Sequence, residues 1–573
     1  MTEVVTRTKP LARSVTGEGT IEGIKTGVPG LDTILGGGLP RQSFNLIAGS
    51  PGSGKTTLAQ QIIFANATPA RPALFFTVLG EPAVKLLRYQ REFAFFDTAA
   101  VGSAIHYINL SEEALEGDLN VVLARIVAEV ERLKPGLVVV DSFRTFLGAR
   151  LEHVAPGAME VERFVQRLAL LLTTWDVTSF LIGEYAEQEQ RNPVFTVADG
   201  VFWMSQVTDR NSVVRKLQVV KVRGRAPMPG LHTYRITGNG VQVFPRIPEH
   251  QAERHPQGSR RLATGVPGLD ELMGGGIPAG DALMLAGPAG SGKTTFATQF
   301  AAEGLRDGDG VIIVVFEEYP EEYLARAKAR SHDMAKAIAD GRLRIIYMRP
   351  LDLSVDETLA EILEAVYAIS AVRVVIDSLS GFEVALAPAF REDFRESLYR
   401  LVGALTATGV TIFMTTEIVG DYPHVRFTSE KVSFITDDII VQRFVEIDGV
   451  LRTVMAIHKM RGSEHSHDFL SYDITANGAV IGGPLRNLRG IMTGVPEIEL
   501  QSAPAAYRGL TEAEASVLDT LARLGSASLE LLAERSGQPP TQLPAVLGRL
   551  AALGYATQGT EPGEYRAVAQ AGG

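Results

Sequence analysis

The chain has 573 residues, 45% hydrophobic and 21% charged, with a net charge of -11 and no cysteine. That length is too great for one core, so about two to four domains are expected. The acidic balance argues against general binding to duplex DNA, and the lack of cysteine excludes disulfides, thiol nucleophiles and Cys-ligated metals. The N-terminus is polar (Thr2, Glu3, Thr6, Arg7, Thr8, Lys9), without the apolar core of a signal peptide. No apolar run is long enough to span a bilayer, so a cytoplasmic protein with no membrane partner is expected by elimination.

In chain order, residues 1–20 carry little apolar content and read as a mobile tail. Thr26-Gly27-Val28-Pro29-Gly30-Leu31-Asp32 follows, with Gly36-Gly37-Gly38 just after. An apolar run, Phe44 to Ala48, then leads into Gly49-Ser50-Pro51-Gly52-Ser53-Gly54-Lys55-Thr56, and Thr57 continues into a helical pattern. This octet fits G-x-x-x-x-G-K-[ST], the phosphate-binding P-loop. Its glycines let backbone N–H groups wrap the phosphates, its Lys neutralises the β/γ charge, and its Thr hydroxyl ligates Mg²⁺. ATP and Mg²⁺ are the cofactors this motif calls for.

All of this returns. The opening phrase recurs as Thr264 to Asp270 with Gly274-Gly275-Gly276, an offset of 264 − 26 = 238. The P-loop recurs as Gly287-Pro288-Ala289-Gly290-Ser291-Gly292-Lys293-Thr294, with Thr295 next, and 287 − 49 = 238. Lys221-Val222-Arg223-Gly224 recurs as Lys459-Met460-Arg461-Gly462, and Ile236 to Gly240 as Ile474 to Gly478, at the same offset. A constant offset at four separated places means that one whole domain is duplicated in tandem. The expected division is 21–245 and 261–497, joined by a linker over 246–260.

Strand-like runs fall at 44–48, 73–78, 137–140 and 179–183, and again at 282–286, 311–316, 372–376 and 410–414. Helical periods lie between them, such as Leu119 to Leu133 and Val355 to Ala368. The alternation predicts an α/β fold, a mainly parallel sheet with helices on both faces, and ligands at the carboxyl ends of the strands. The third run of each half ends in Asp141-Ser142 and Asp377-Ser378. An apolar strand ending in Asp beside a P-loop holds Mg²⁺ directly or through water. Thr56, Thr294, Asp141 and Asp377 are therefore the candidate metal residues.

With these motifs in hand, both halves resemble the KaiC family of RecA-like ATPases. The resemblance rests on the two opening phrases, the P-loops, the Asp-Ser strand ends, Phe316-Glu317-Glu318-Tyr319-Pro320 and the two Lys-x-Arg-Gly motifs. It covers about residues 20–495 and implies two tandem RecA-like domains in a double-ring homohexamer with ATP at each subunit interface. It also implies that Lys221 and Arg223, and Lys459 and Arg461, reach a neighbour's γ-phosphate. Glu317 and Glu318 stand where family members keep catalytic glutamates, and a carboxylate there can act as general base or orient water. Subtracting 238 gives Leu79 and Gly80, with Glu81 one residue late. The first half is thus expected to bind ATP structurally and the second to do the chemistry. Clock members of the family phosphorylate adjacent Ser and Thr residues before an Ile-Thr-Asp segment. Here Ser433 matches the Ser and Phe434 replaces the Thr, so the candidate phospho-acceptor of an autokinase activity is Ser433 alone.

Residues 498–573 read as a third, small domain. Thr511-x-x-Glu514 is a capping box before Val517, Leu518, Leu521 and Leu524, and two further helical patterns end at Gly537 and Gly554. Tyr555 to Thr557 and Tyr565 to Val568 are expected to pair, which makes a winged-helix-like pattern. From 501 onward the charges are five Arg against six Glu and one Asp, 5 − 7 = −2, and the third helix offers only Arg549 as a cation. That disfavours DNA and favours an unidentified signalling protein as the partner. The reading is an ATP-hydrolysing ring used in signalling or timing. The alternative is a DNA-dependent RecA-like motor, or a transcription regulator using the winged helix.

Overall fold

The structure, a computed structural model, describes residues 23–77, 83–116, 119–141, 158–185, 193–209, 212–246, 260–348, 354–386, 394–418, 435–447, 449–486, 488–489, 497–498, 510–559 and 563–568. The expected tail over 1–20, most of the expected linker, Ser142, Leu79-Gly80-Glu81 and Ser433-Phe434 lie outside these residues.

In the first half the strands are β1 (Phe44–Gly49), β2 (Ala73–Thr77), β3 (Ile105–Asn109), β4 (Leu137–Asp141), β5 (Thr178–Glu184), β6 (Gly200–Asp209), β7 (Ser212–Val222), β8 (His232–Thr237) and β9 (Gly240–Phe244). They form one sheet in the order β9-β8-β7-β6-β1-β5-β4-β2-β3. The strands from β6 to β3 in that order run parallel, and β7, β8 and β9 add an antiparallel edge. The second half repeats this with β10 (Ala282–Gly287), β11 (Gly310–Val315), β12 (Leu343–Tyr347), β13 (Ala371–Asp377), β14 (Thr411–Glu417), β15 (Asp438–Ile447), β16 (Val450–Lys459), β17 (Leu470–Thr475) and β18 (Gly478–Pro484). Its order is β12-β11-β13-β14-β10-β15-β16-β17-β18. Four strands per half were legible as apolar runs. Most of the others are half exposed or sit at an edge, where apolar content is lower, whereas β15 is mostly buried beside β10 but carries Asp438, Gln442 and Arg443 within its apolar run.

Helices cover both faces. In the first half α1 (Lys55–Asn66) packs Leu58, Ile62 and Ile63 on one side of the sheet. On the other side, α2 (Leu119–Leu133) and α3 (Ala158–Thr174) bring Ile126, Val130, Phe164 and Leu168. In the second half α4 (Lys293–Asp307) buries Phe296 and Phe300 on one face. There α5 (Val355–Ile369) and α6 (Phe394–Ala407) bury Leu359, Ile362, Leu398 and Leu401 on the other. Each such side chain contributes about 1.5–3 kcal/mol when fully buried. Ser354 starts α5 by accepting the Glu357 N–H (3.2 Å). The halves are linked by Arg235 to Glu357 (2.6 Å) and Arg246 to Glu396 (2.5 Å).

The repeated phrases have structural causes. Asp32 accepts both the N–H and the hydroxyl of Thr26, each at 2.9 Å, and Asp270 accepts the Thr264 N–H at 2.8 Å. Gln61 and Gln299, each on its P-loop helix, receive the Val241 and Ala479 N–H groups (2.7 Å each). They donate in turn to Gly27 O (3.2 Å) and Gly265 O (3.1 Å). Opening phrase, P-loop helix and last hairpin are thus tied together in both halves.

The C-terminal unit has helices α7 (Glu512–Leu524), α8 (Leu529–Ser536) and α9 (Leu543–Ala552). Its strands are β19 (Ser526–Ser528), β20 (Ala556–Gln558) and β21 (Glu564–Ala567), in the order β19-β21-β20. Thr511 and Glu514 make the capping box. Among the described residues, no helix is long and apolar enough to cross a membrane.

Candidate functional site

Each P-loop joins a central strand to the helix after it, β1 to α1 and β10 to α4. Gly54 and Gly292 both have φ near the left-handed value, at 88°. A Cβ there would also meet Ile236 Cδ1 at 2.4 Å and Ile474 Cδ1 at 2.6 Å. This explains the repeated Ile-Thr motif: its isoleucine seals the loop from below. Tyr234 and Tyr472 donate to the P-loop carbonyls Ser53 O (2.5 Å) and Ser291 O (2.7 Å), and burial pushes both phenols up.

In the first site Lys55 Nζ donates to Ser50 O (2.8 Å), and Thr56 Oγ1 donates to Asp141 Oδ2 (2.6 Å). Burial lowers the Lys55 amine, opposed first by Glu184 and then by Asp141. Burial likewise raises the Asp141 carboxyl, opposed by the Thr56 hydrogen bond and Lys55. In the second site Lys293 Nζ donates to Gly287 O (3.0 Å) and Pro288 O (2.8 Å). Burial lowers it too, against Glu417, Asp377 and Glu317. Asp377 accepts from Thr415 Oγ1 (2.5 Å). In addition, Ser291 Oγ donates to Gln442 Oε1 on β15 (2.8 Å), which braces the second P-loop.

Two carboxylates in these sites were not singled out from sequence. Glu184 and Glu417 end β5 and β14, directly beside Gly49 and Gly287 in the strand register. The halves differ in length here: 377 − 141 = 236 and 417 − 184 = 233, not 238. Small insertions had hidden the equivalence. The readable signal was a strand-like run ending in Glu, one residue beyond the expected strand end in the first half and three in the second.

The strand expected over 311–316 stops at Val315 as β11, so Glu317 and Glu318 do not end it but follow in a bend. They diverge there. Glu317 Oε1 accepts from Ser378 Oγ (3.3 Å), and its charge acts on Lys293. Glu318 instead accepts from Arg326, which lies over the Tyr323 ring at 5.4 Å. Burial raises the Glu318 carboxyl, and Arg326 opposes that rise. Of the pair, Glu317 is the one whose charge acts on the phosphate-binding lysine.

The Lys-x-Arg motifs lie at the other end of the sheet. Lys221 Nζ donates to Phe195 O (3.1 Å) and Thr196 O (3.3 Å), and Arg223 Nη1 to Asp199 Oδ1 (3.1 Å). Asp199 Oδ2 accepts the Phe44 N–H (3.0 Å), at the start of β1. In the second half Lys459 Nζ donates to Thr436 O (2.6 Å), Arg461 faces Asp437 (3.6 Å), and Asp437 accepts the Ala282 N–H (3.2 Å) at the start of β10. Strands rise about 3.3 Å per residue, so these groups stand about 17 Å from the P-loop of their own half. The Arg223 and Arg461 side chains are 65% and 70% exposed.

The sites suit a magnesium nucleotide. Each offers a wrapped backbone cradle, a lysine for the phosphates (Lys55 buried, Lys293 half-buried), and carboxylates beyond it that a divalent cation would offset. In the C-terminal unit Arg549 Nε is committed to Glu514 Oε1 (3.1 Å).

Comparison with known proteins agrees with this geometry. The family model described as "ATPase: KaiC" matches residues 24–247 and again 262–486. The chain is 29% identical over 505 residues to the circadian clock protein KaiC3 of Synechocystis, covering 86% of this chain and 97% of that protein. It is 28% identical over 493 residues to the circadian clock oscillator protein KaiC of Rippkaea orientalis, covering 84% and 93%. With two tandem RecA-like P-loop domains, each matched by the same family, the chain belongs to the KaiC family of ATPases.

Proposed function

We propose that this ATP-binding protein is a homohexameric double ring that hydrolyses ATP in its second domain, holds ATP structurally in its first, and serves signalling or timing. The observation that carries the reading is the position of the Lys-x-Arg motifs. An exposed Arg461 about 17 Å from the P-loop of its own half along the strand is out of reach of that site's nucleotide and open to one held by another chain. A ring in which each chain supplies a neighbour meets that need at every interface. Glu317 beside Lys293 would orient the attacking water, and Mg²⁺ held through Thr294 and Asp377 would offset phosphate charge. In the first domain positions 79 and 80 are Leu and Gly, so ATP there would stabilise the ring by mass action.

Static light scattering with ATP and Mg²⁺ should give six chains per particle. A monomer at saturating nucleotide would overturn the ring. Lys55→Ala should weaken assembly more than it lowers turnover per assembled ring.

We also read Ser433 as the acceptor of an autokinase activity, because it precedes Ile435-Thr436-Asp437 as in clock members. Phosphopeptide mapping after incubation with ATP should find the phosphate on Ser433; modification confined to other residues rejects the assignment. The C-terminal unit is proposed as a protein-docking module. Its third helix spends its one arginine on Glu514 and exposes Ala545, Ala551 and Ala552, a poor surface for phosphate.

A further inference from the structure

Each half carries a two-residue ribbon ahead of its P-loop. Gly23–Ile24 pairs with Leu39–Pro40, and Arg261–Leu262 pairs with Ile277–Pro278, in the same register. Between the ribbon strands lies the triple-glycine turn, 36–38 or 274–276. Against that turn packs the loop that follows Lys-x-Arg. The Met228 N–H donates to Ile34 O (2.8 Å) in the first half, and the Ser466 N–H donates to Leu272 O (2.9 Å) in the second. These are equivalent contacts, since 466 − 228 and 272 − 34 are both 238.

A guanidinium sits on this turn in both halves, but it arrives from opposite sides. In the second half it belongs to Arg261, on the ribbon. Its Nη1 donates to Met273 O (3.1 Å) and Gly276 O (2.8 Å), and its Nη2 to Ser463 Oγ (2.5 Å), two residues after Arg461. In the first half it belongs to Arg225, two residues after Arg223, whose Nη1 donates to Gly36 O (2.9 Å). Subtracting 238 from 261 gives Gly23, and adding 238 to 225 gives Ser463. Arginine and small residue have changed places across one contact. The two side chains would compete for one place: a Cβ on Gly23 would stand 2.6 Å from Arg225 Nη2, which would have to move aside. Carbonyls left over at the end of a short helix and turn need donors, and a planar fork with five N–H groups can reach several at once.

We propose that this guanidinium is a positioning group for the trans-acting loop, with Arg261 holding the loop of Arg461 and Arg225 that of Arg223. The proposal rests on the reading that Arg461 acts on a neighbour's nucleotide. The exchange itself carries the inference. Two copies of one domain both tie this turn to this loop through a guanidinium, on different carbonyls of the turn, while exchanging the residue that supplies it, so the tie is the feature that matters. Arg461 is mostly exposed, and its loop is also held at the Leu272 carbonyl and at Asp437–Asp438.

The test uses the full chain with ATP and Mg²⁺, measuring kcat, KM, affinity for a fluorescent ATP analogue and melting temperature. Arg461→Ala sets the loss expected when the finger is gone. Arg261→Ala should lower kcat by about 10²-fold, the usual cost of misplacing a reacting group by about an ångström, with KM and nucleotide affinity nearly unchanged. Arg261→Gly with Ser463→Arg copies the first half and should regain most of the turnover that Arg261→Gly alone loses. A merely structural arginine would show in melting temperature, not in a kcat loss that the transplanted arginine restores. If Arg461→Ala slows turnover and Arg261→Ala does not, the positioning role is wrong while the trans reading stands. If Arg461→Ala itself has no effect, both fall. Should Arg261→Ala fail to fold, the double variant decides: folded and active supports the proposal, and folded but as slow as Arg461→Ala overturns it.

Discussion

Arg461→Ala should cut ATP turnover by about 10³–10⁵-fold while leaving nucleotide binding largely intact, because a charge supplied in trans to a transferring phosphoryl group is worth that much in comparable enzymes. Arg461 stands at the start of β10, the P-loop at its end, and its side chain is 70% exposed beside Asp437. On the trans reading it serves a nucleotide held by a neighbouring chain and not the P-loop of its own half. Mixing makes the measurement decisive. Arg461→Ala chains combined with Lys293→Ala chains should regain part of the activity that each lacks alone, since a mixed ring contains interfaces with an intact P-loop facing an intact arginine. Activity absent from every mixing ratio, in rings shown to contain both chains, would mean that the arginine acts within one chain. Arg223→Ala should lower turnover little, and weaken the ring instead.

Glu317→Gln should lower turnover by about 10²–10⁴-fold, the usual worth of a positioned general base. Glu318→Gln should cost much less, because that carboxylate is already engaged by Arg326 on the helix that starts at Pro320. The two substitutions are isosteric and adjacent, so a difference between them reports orientation rather than charge. If the second domain is the active one, Glu81→Gln barely changes the rate. Retention of most turnover in the Glu317→Gln, Glu318→Gln double variant, with its loss on adding Glu81→Gln, would assign hydrolysis to the first domain. Glu417 supplies an internal comparison. It lies beside the P-loop strand in register with Gly287, and its charge, like that of Glu317, acts on Lys293.

The amino-acid sequence by itself determined the duplication, the two P-loops, the strand-ending Asp141 and Asp377, and the family. These features are local: a loop that wraps phosphate needs its glycines, lysine and threonine within eight consecutive positions, and a constant spacing survives wherever no insertion intervenes. The capping box at Thr511 and Glu514 is local in the same way. Tertiary structure alone decided the rest. Glu184 and Glu417 become equivalent only through strand register, since the spacing between the halves has drifted from 238 to 233 by that point. Glu317 and Glu318 look alike in sequence and part only when the chain turns after Val315, one toward Lys293 and one toward Arg326. The antiparallel edges carry too many exposed residues to announce themselves as strands, yet they set Lys459 and Arg461 at the far end of the sheet. Arg225 and Arg261 lie 36 residues apart and at unrelated places in the repeat, 261 − 225 = 36. Their common role is a matter of one small space on a glycine turn, which either of two chain segments can fill.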